Sequence, residues 1–300
     1  MLQLVAIVEL VESAGVPTST SEQDVNELRR PRPVQTTIQT PVSVAGTGLH
    51  SGSSARVILR DAAPGTGIVF RRTDVTDRDN LIPAVWSHVL QSPLATRIVN
   101  GDGVMVSTIE HLMAALAGTG VRNVAVEIDG PEVPILDGSA APWVRAILAA
   151  GVTTQDAVLE AIEILEPVEV RDGLAWARLE PSAMPEMDFT IDFPDAAIGH
   201  QEKALGLANG AFVRELCDSR TFCRQADVEA MRARGLALGG TYLNAVVVDG
   251  ARVLTPGGLR HPDEAVRHKM LDALGDLATA GAPILGRYVG HRAGHALTNQ

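Results

Sequence analysis

Cysteine is nearly absent from this 300-residue chain, which contains only Cys217 and Cys223. Two cysteines at this spacing form neither a CxxC motif nor a disulfide framework. We therefore expect both thiols to be reduced and structural, as in a cytoplasmic protein.

Aromatic residues are also scarce, at 3% of the chain, so Val, Leu, Ile and Ala must provide most of the core packing. No apolar run approaches the ~18 residues that a membrane span requires. The apolar opening from Met1 to Val8 has no basic residues before it and is soon interrupted by Glu9 and Glu12, unlike a secretory signal. The sequence therefore predicts no stable membrane insertion.

Basic residues are also fewer than acidic ones, 25 Lys and Arg against 36 Asp and Glu, so the formal net charge is −11. A nucleic-acid-binding surface needs a basic face, so this balance argues against nucleic acid as a partner. It still allows a small anionic ligand to be held by a few local Lys and Arg residues.

Length and patterning predict an α+β fold with two domains. Residues 1–35 contain Ser/Thr/Pro-rich and Arg-Pro runs, which are typical of a mostly disordered leader. Short alternating apolar runs followed by helical stretches then occur twice, which predicts a two-layer sheet/helix sandwich in each of residues 36–158 and 159–300. No repeat is visible at the level of individual residues.

A polar stripe marks the segment from Val266 to Asp276. In a helix, His268, Asp272 and Asp276 lie at i, i+4 and i+8 on one face. A histidine and a carboxylate four residues apart can reach one point in space, as metal ligands do. The alternative is an ordinary solvated face of an amphipathic helix.

A second helix is predicted over residues 107–118, capped by Ser107 or Thr108 and ended by Gly118. Glu110 and His111 then lie in its first turn, where the helix dipole favours a carboxylate and a neutral imidazole. The alternative is a capping glutamate beside a half-buried histidine.

Together, His111, His268 and Asp272 have the composition of a catalytic Zn²⁺ site that keeps a fourth position for water. Glu110, next to a ligand, would be placed to accept a proton from that water. The same three residue types also bind Fe²⁺ in non-haem oxygenases, and ligand type alone does not choose between the metals.

Several motifs occur in a fixed order along the chain. They are Gly48-Leu49-His50, Ser107-Thr108-Ile109-Glu110-His111-Leu112, Pro134-Ile135-Leu136-Asp137-Gly138-Ser139-Ala140, Ser219-Arg220-Thr221-Phe222, Val266-Arg267-His268-Lys269-Met270-Leu271-Asp272 and Gly294-His295-Ala296-Leu297. In this combination the chain, from about Thr37 onwards, resembles the zinc-dependent UDP-3-O-acyl-N-acetylglucosamine deacetylases of lipid A biosynthesis. The leader has no counterpart in that family pattern, and the chain stops sooner after His295 than family members usually do.

The resemblance implies an active site at the interface of the two domains. It implies His111, His268 and Asp272 as ligands of Zn²⁺, with Fe²⁺ as the alternative in the same site. It also implies Glu110 as the general base.

Further roles follow from the same resemblance. His295, partnered by Asp276, would stabilise the oxyanion or protonate the leaving amine, and Thr221 would donate to the oxyanion. Lys269 would bind the substrate diphosphate.

The acyl chain of the substrate would lie against an inserted βαβ segment near residues 211–245. Phe222, Leu236 and Leu238 belong to this segment. The expected partner is thus a UDP-linked acylated amino sugar, deacetylated by a monomeric enzyme in the cytoplasm of a Gram-negative-type bacterium.

Overall fold

A computed structural model describes residues 33–300 of the chain and confirms a mixed α+β fold. Residues 1–32 of the predicted leader lie outside the described part of the chain. The last two positions of that leader, Val34 and Gln35, already belong to a strand. Within residues 33–300, no helix combines the length and the apolar character needed to cross a bilayer.

The first part of the described chain forms a five-stranded sheet with the order β2-β3-β9-β4-β5, a three-stranded sheet β6-β7-β8, and two helices. The elements are β1 (Val34–Ile38), β2 (Val42–Thr47), β3 (Ser54–Asp61), β4 (Ile68–Arg72), β5 (Leu81–Pro83), β6 (Val89–Leu90), β7 (Arg97–Val99), β8 (Met105–Ser107), α1 (Glu110–Thr119), β9 (Val124–Ile128), α2 (Ala141–Ala150) and β10 (Val152–Val158). β10 returns to pair with β1.

The second part forms a five-stranded sheet with the order β12-β13-β20-β14-β15 and a three-stranded sheet β16-β17-β18. The elements are β11 (Ile162–Glu163), β12 (Val168–Asp172), β13 (Ala175–Glu180), β14 (Glu186–Asp192), β15 (His200–Gly206), α3 (Ala211–Glu215), β16 (Phe222–Arg224), α4 (Gln225–Ala233), β17 (Val246–Asp249), β18 (Arg252–Val253), α5 (Glu264–Leu277), β19 (Ile284–Leu285), β20 (Arg287–His291) and α6 (His295–Thr298).

The two five-stranded sheets share one topology. In each sheet, two antiparallel hairpins flank a central strand, β9 or β20. Of the five strands in its sheet, this central strand is the last along the chain. The central strand runs antiparallel to β3 or β13 and parallel to β4 or β14, and Phe70–Val126 and Met187–Tyr288 are corresponding pairs on the parallel side. The structure thus contains a repeat that the sequence does not reveal residue by residue.

A parallel β16–α4–β17 unit interrupts the second part between Phe222 and Asp249. The inserted βαβ segment was expected near residues 211–245. In the structure, Ala211–Glu215 forms the separate short helix α3, and the second strand of the unit extends beyond position 245.

Helix α1 begins differently from the prediction. Ser107 belongs to β8, and Thr108 has a positive φ of 58°, so neither residue caps the helix. The Thr108 hydroxyl donates instead to Glu132 Oε1, at 3.0 Å. The left-handed conformation lies two residues before Glu110, and residue types alone do not show it.

The end of α1 also differs, because the helix continues through Gly118 and stops at Gly120, where φ is 81°. Gly120 is thus a left-handed C-terminal glycine. Gly118 has a packing role: a Cβ atom there would lie 2.0 Å from Cδ1 of Phe212.

Helices α1 and α5 pack directly against each other and join the two parts of the chain. Every residue from Glu110 to Leu116 is buried, so α1 is a core helix rather than an amphipathic surface helix. The helices approach closely at Gly275, where a Cβ atom would lie 2.0 Å from the Glu110 carbonyl oxygen. Only a residue without a side chain allows the helices this spacing.

Gly275→Ala is therefore expected to lower the free energy of unfolding by about 1–3 kcal/mol, because the methyl group meets backbone atoms that cannot move aside. Alanine favours an isolated helix by about 1 kcal/mol over glycine, so a net loss would report crowding between the helices. Urea unfolding measures the change. Gly206→Ala is the matched control, since its Cβ would meet no atom within 4 Å. Equal unfolding midpoints for Gly275→Ala and the wild type would contradict the prediction.

Candidate metal centre and active site

The α1–α5 contact brings together the three residues that the sequence singled out as metal ligands. His111 comes from α1, and His268 and Asp272 come from α5. Asp272 Oδ1 lies 3.5 Å from His111 Nε2 and 3.2 Å from His268 Nε2. One ligand atom from each residue lies within 4.8 Å of the others, and all three residues are buried.

The donor set fits a divalent metal ion. Asp272 Oδ1 is buried and has no hydrogen-bond partner among residues 33–300. A buried carboxylate oxygen without a partner is costly unless a cation or a donor meets it. His268 Nδ1 lies 3.0 Å from the Ser219 carbonyl oxygen, which can only accept, so the proton resides on Nδ1 and Nε2 is free to ligate.

The pKa values of the other two groups support the same conclusion. Burial lowers the pKa of His111, which favours the neutral imidazole that binds metal. Burial alone would raise the pKa of Asp272, but His268 and Lys269 hold it well below its usual range. Two imidazoles and one carboxylate are the composition of many catalytic zinc sites.

Glu110 lies beside this cluster, in the first turn of α1. Its Oε2 accepts a hydrogen bond from the Thr96 backbone amide at 2.9 Å, and its Oε1 lies 4.0 Å from His295 Nε2. Burial raises the pKa of Glu110 to about 7, and the nearby Asp272 and Asp276 carboxylates add to the rise while His295 opposes it. A carboxylate with a pKa near neutrality is suited to accept and then return a proton.

His295 faces Glu110 with its Nε2 atom, and its other ring nitrogen, Nδ1, is hydrogen-bonded to Asp276. Its Nδ1 lies 2.9 Å from Asp276 Oδ2, and its Nε2 lies 3.8 Å from Asp272 Oδ2. Burial alone would lower the pKa of His295, but the Asp276 and Asp272 carboxylates outweigh it and raise the pKa to about 9. The imidazolium is therefore the favoured form at neutral pH.

A cavity of about 550 Å³ opens onto this group of residues. Thr221, Phe222 and Lys269, each predicted to contact substrate, line it together with His268, Asp272 and His295. The Thr221 backbone amide donates to the Gly138 carbonyl at 2.8 Å, and Lys269 Nζ lies 3.2 Å from Asp272 Oδ2. A second cavity, of about 420 Å³, lies at the opposite ends of α1 and α5 and contains none of the predicted site residues.

Leu236 and Leu238 are the two predicted substrate contacts that the structure does not bring to the cavity. Ala237, between them, lines it instead, and Leu238 is 56% exposed. Ala237 adopts a φ of 54°, in the left-handed region that residues other than glycine seldom adopt. The apolar wall of the cavity is formed elsewhere in the βαβ unit, by residues such as Val228 and Met231.

The site also contains a residue that sequence reasoning missed. Thr96 is 1% exposed and hydrogen-bonds both Glu110 and Asp276. It lies in the connection before the three-residue strand β7, where neither periodicity nor a motif marks it.

Comparison with known proteins agrees with this arrangement. Residues 35–300 match the family model described as LpxC: UDP-3-O-acyl N-acetylglycosamine deacetylase. The UDP-3-O-acyl-N-acetylglucosamine deacetylase of Phenylobacterium zucineum is 53% identical over 265 residues, which cover 88% of this chain and 90% of the relative. The protein of the same name from Shewanella pealeana is 45% identical over 268 residues, covering 89% of this chain and 87% of the relative. The chain therefore belongs to the LpxC family of UDP-3-O-acyl N-acetylglycosamine deacetylases.

Proposed function

We propose that this chain hydrolyses the N-acetyl group of UDP-3-O-(3-hydroxyacyl)-N-acetylglucosamine, giving acetate and the free amine, the committed step of lipid A biosynthesis. Family membership supports the substrate class and the reaction. The observation that carries the proposal is the convergence of Glu110 and His295 on the His111–His268–Asp272 cluster, beside a cavity that His268, Asp272 and His295 line.

The proposed metal is Zn²⁺, bound by His111, His268 and Asp272, and Fe²⁺ is the alternative for the same donors. When bound, such an ion polarises a carbonyl group and makes water a better nucleophile at neutral pH. Glu110 is the proposed general base, which accepts the proton of the attacking water at its free oxygen, Oε1. Its pKa of about 7 matches that role.

His295, protonated and held by Asp276, is proposed to face the developing oxyanion with its Nε2–H. The Thr221 hydroxyl is the proposed second donor to the same oxygen. Donors fixed before the reaction stabilise the transition state without reorganising, which is the main contribution of an oxyanion hole. Either His295 or Glu110 then returns a proton to the leaving amine.

The substrate is proposed to be recognised in two ways, its diphosphate by a positive charge and its acyl chain by apolar contacts. Lys269 supplies a positive charge at the cavity for the diphosphate of the UDP group. Phe222 and the apolar residues of the βαβ unit provide the surface for the acyl chain. A monomeric state and a cytoplasmic location stay predictions from the sequence.

The test is release of acetate from the UDP-linked acylated sugar by the purified protein, with and without prior removal of metal by a chelator. We expect release by the Zn²⁺-loaded protein, loss after chelation, and recovery when Zn²⁺ is returned. Oxygen consumption is followed in parallel, because an oxygenase would use the same ligand types. Turnover that requires oxygen and 2-oxoglutarate and yields no acetate would overturn the proposal.

A further inference from the structure

We infer that Thr96 is a positioning residue that fixes the Glu110 carboxylate and the Asp276–His295 pair at a set distance from each other. The inference rests on the proposed function and deepens it. It assigns a role to a residue outside the metal cluster and outside the helices that carry the reacting groups.

The contacts of Thr96 reach both groups from one point. Its backbone amide donates to Glu110 Oε2 at 2.9 Å, and its hydroxyl donates to Asp276 Oδ1 at 2.5 Å. Asn299 Nδ2 donates to the same hydroxyl oxygen at 2.8 Å. The hydroxyl therefore donates its hydrogen to Asp276 and accepts a hydrogen bond from Asn299 with one of its two lone pairs.

Thr96 affects Glu110 by engaging one oxygen of its carboxylate and leaving the other directed towards His295. With Oε2 engaged by Thr96, Oε1 is the oxygen that faces His295, 4.0 Å from Nε2. Anchoring one oxygen restricts the rotation of the carboxylate, so the second oxygen is kept on the side of the site where the reacting proton would lie.

The consequence for His295 passes through Asp276. Asp276 accepts from Thr96 at Oδ1 and from His295 Nδ1 at Oδ2, so its carboxylate is fixed on both sides. The His295 ring is in turn held with Nε2 towards Glu110 and Asp272. Because Glu110 belongs to α1 and Asp276 to α5, Thr96 sets the relation between groups that come from different helices.

The test compares Thr96→Val with Thr96→Ser in steady-state deacetylation. Valine keeps the branched shape and removes the hydroxyl, whereas serine keeps the hydroxyl. For Thr96→Val we expect kcat to fall about 10- to 100-fold, the usual cost of losing a partner that orients a catalytic-site ligand or base. KM should change less than about twofold, because Thr96 is buried and does not line the cavity, and Thr96→Ser should retain kcat within about threefold.

Thr279→Val is the matched control. Thr279 is also a buried threonine beside Asp276, but its hydroxyl donates to the Asp276 backbone carbonyl, at 2.6 Å, rather than to the carboxylate. We expect this variant to keep kcat within about twofold while losing similar stability, so a general loosening of the core would affect both variants alike. Bound metal and the thermal midpoint are measured for every variant.

A double-mutant cycle with Asp276→Asn tests whether Thr96 acts on His295 through Asp276. If Thr96 acts through Asp276, Thr96→Val costs less kcat in the Asp276→Asn background than in the wild type. Additive effects, an unchanged kcat in Thr96→Val, or an equal loss in Thr279→Val would each overturn the inference. A wild-type protein that releases no acetate would instead overturn the proposed function.

Discussion

Glu110→Gln is expected to lower kcat for acetate release by about 10²–10⁴-fold, the range that general-base catalysis contributes. Glutamine keeps the size of the side chain and can still accept the hydrogen bond from the Thr96 amide, but its amide group cannot take a proton from water. KM should change little, because the substitution removes an interaction made in the transition state. Initial rates of acetate release measure the effect.

Metal content and stability separate this loss from damage to the site. Glu110 is not among the three metal ligands, so Glu110→Gln should bind metal in the same stoichiometry as the wild type. It should unfold at an equal or higher temperature, because the substitution removes a buried charge that lies near the Asp272 and Asp276 carboxylates. Acetate release at the wild-type rate by the metal-loaded variant would show that Glu110 is not the base.

Glu264→Gln is expected to lower the free energy of unfolding by about 3–5 kcal/mol, because it leaves the buried Arg220 guanidinium without its counter-charge. Glu264 and Arg220 are 1% and 6% exposed, and Arg220 Nε lies 2.8 Å from Glu264 Oε1. The carboxylate also accepts from the backbone amides of Arg220 and Arg260, at 3.0 and 2.7 Å. Urea unfolding at neutral pH measures the loss.

The same pair predicts a dependence of stability on pH. Burial alone would raise the pKa of Glu264, but hydrogen bonds from Arg220 and Arg260 hold it below its usual 4.5. A carboxyl group with a lowered folded-state pKa stabilises the protein above its unfolded-state pKa, and this contribution is lost as the pH falls through the folded-state value. The wild type should therefore lose more stability than Glu264→Gln as the pH is lowered below about 4.5.

Glu127→Gln is the matched control, since it makes the same substitution in an ion pair with the exposed Arg60. Surface pairs contribute at most about 1 kcal/mol, so this variant should unfold close to the wild type. Equal losses in the two variants would contradict a special role for the buried pair.

The arrangement of the metal cluster was accessible from the sequence because it depends on helical periodicity. His268 and Asp272 are four residues apart on α5, and the helix brings them to one point whatever surrounds it. The residue types that form catalytic zinc sites grouped them with His111 of α1, and the family resemblance supported that grouping. Neither source indicated how closely the helices approach, because that spacing depends on Gly275, a residue with no chemistry of its own.

A prediction based on residue type failed where the backbone adopts a left-handed conformation. Thr108 was a candidate helix cap, but its φ is 58° and its hydroxyl donates to Glu132 instead. Leu236 and Leu238 were expected beside the acyl chain from the family resemblance, and that role stays a prediction; Ala237, between them, has a φ of 54° and lines the cavity. Residues other than glycine seldom adopt this region, so a sequence of ordinary residues gives no warning of it.

Thr96 was missed for a different reason. Its role depends on two hydrogen bonds to residues 14 and 180 positions away in the chain. Loop residues that hold functional groups from distant elements leave no periodic signal, and they become visible only when the tertiary contacts are known.

The shared topology of the two large sheets has a consequence for synthesis on the ribosome. In each sheet the central strand is the last to be made, so a nascent chain carries two separate hairpins that cannot yet join. The facing edges of β13 and β14 stay unpaired until β20 emerges, and α1 lacks its partner until α5 has been made. Unpaired strand edges and exposed core helices are the surfaces on which nascent proteins aggregate or bind chaperones. The second half of translation is thus the interval in which this protein most needs protection.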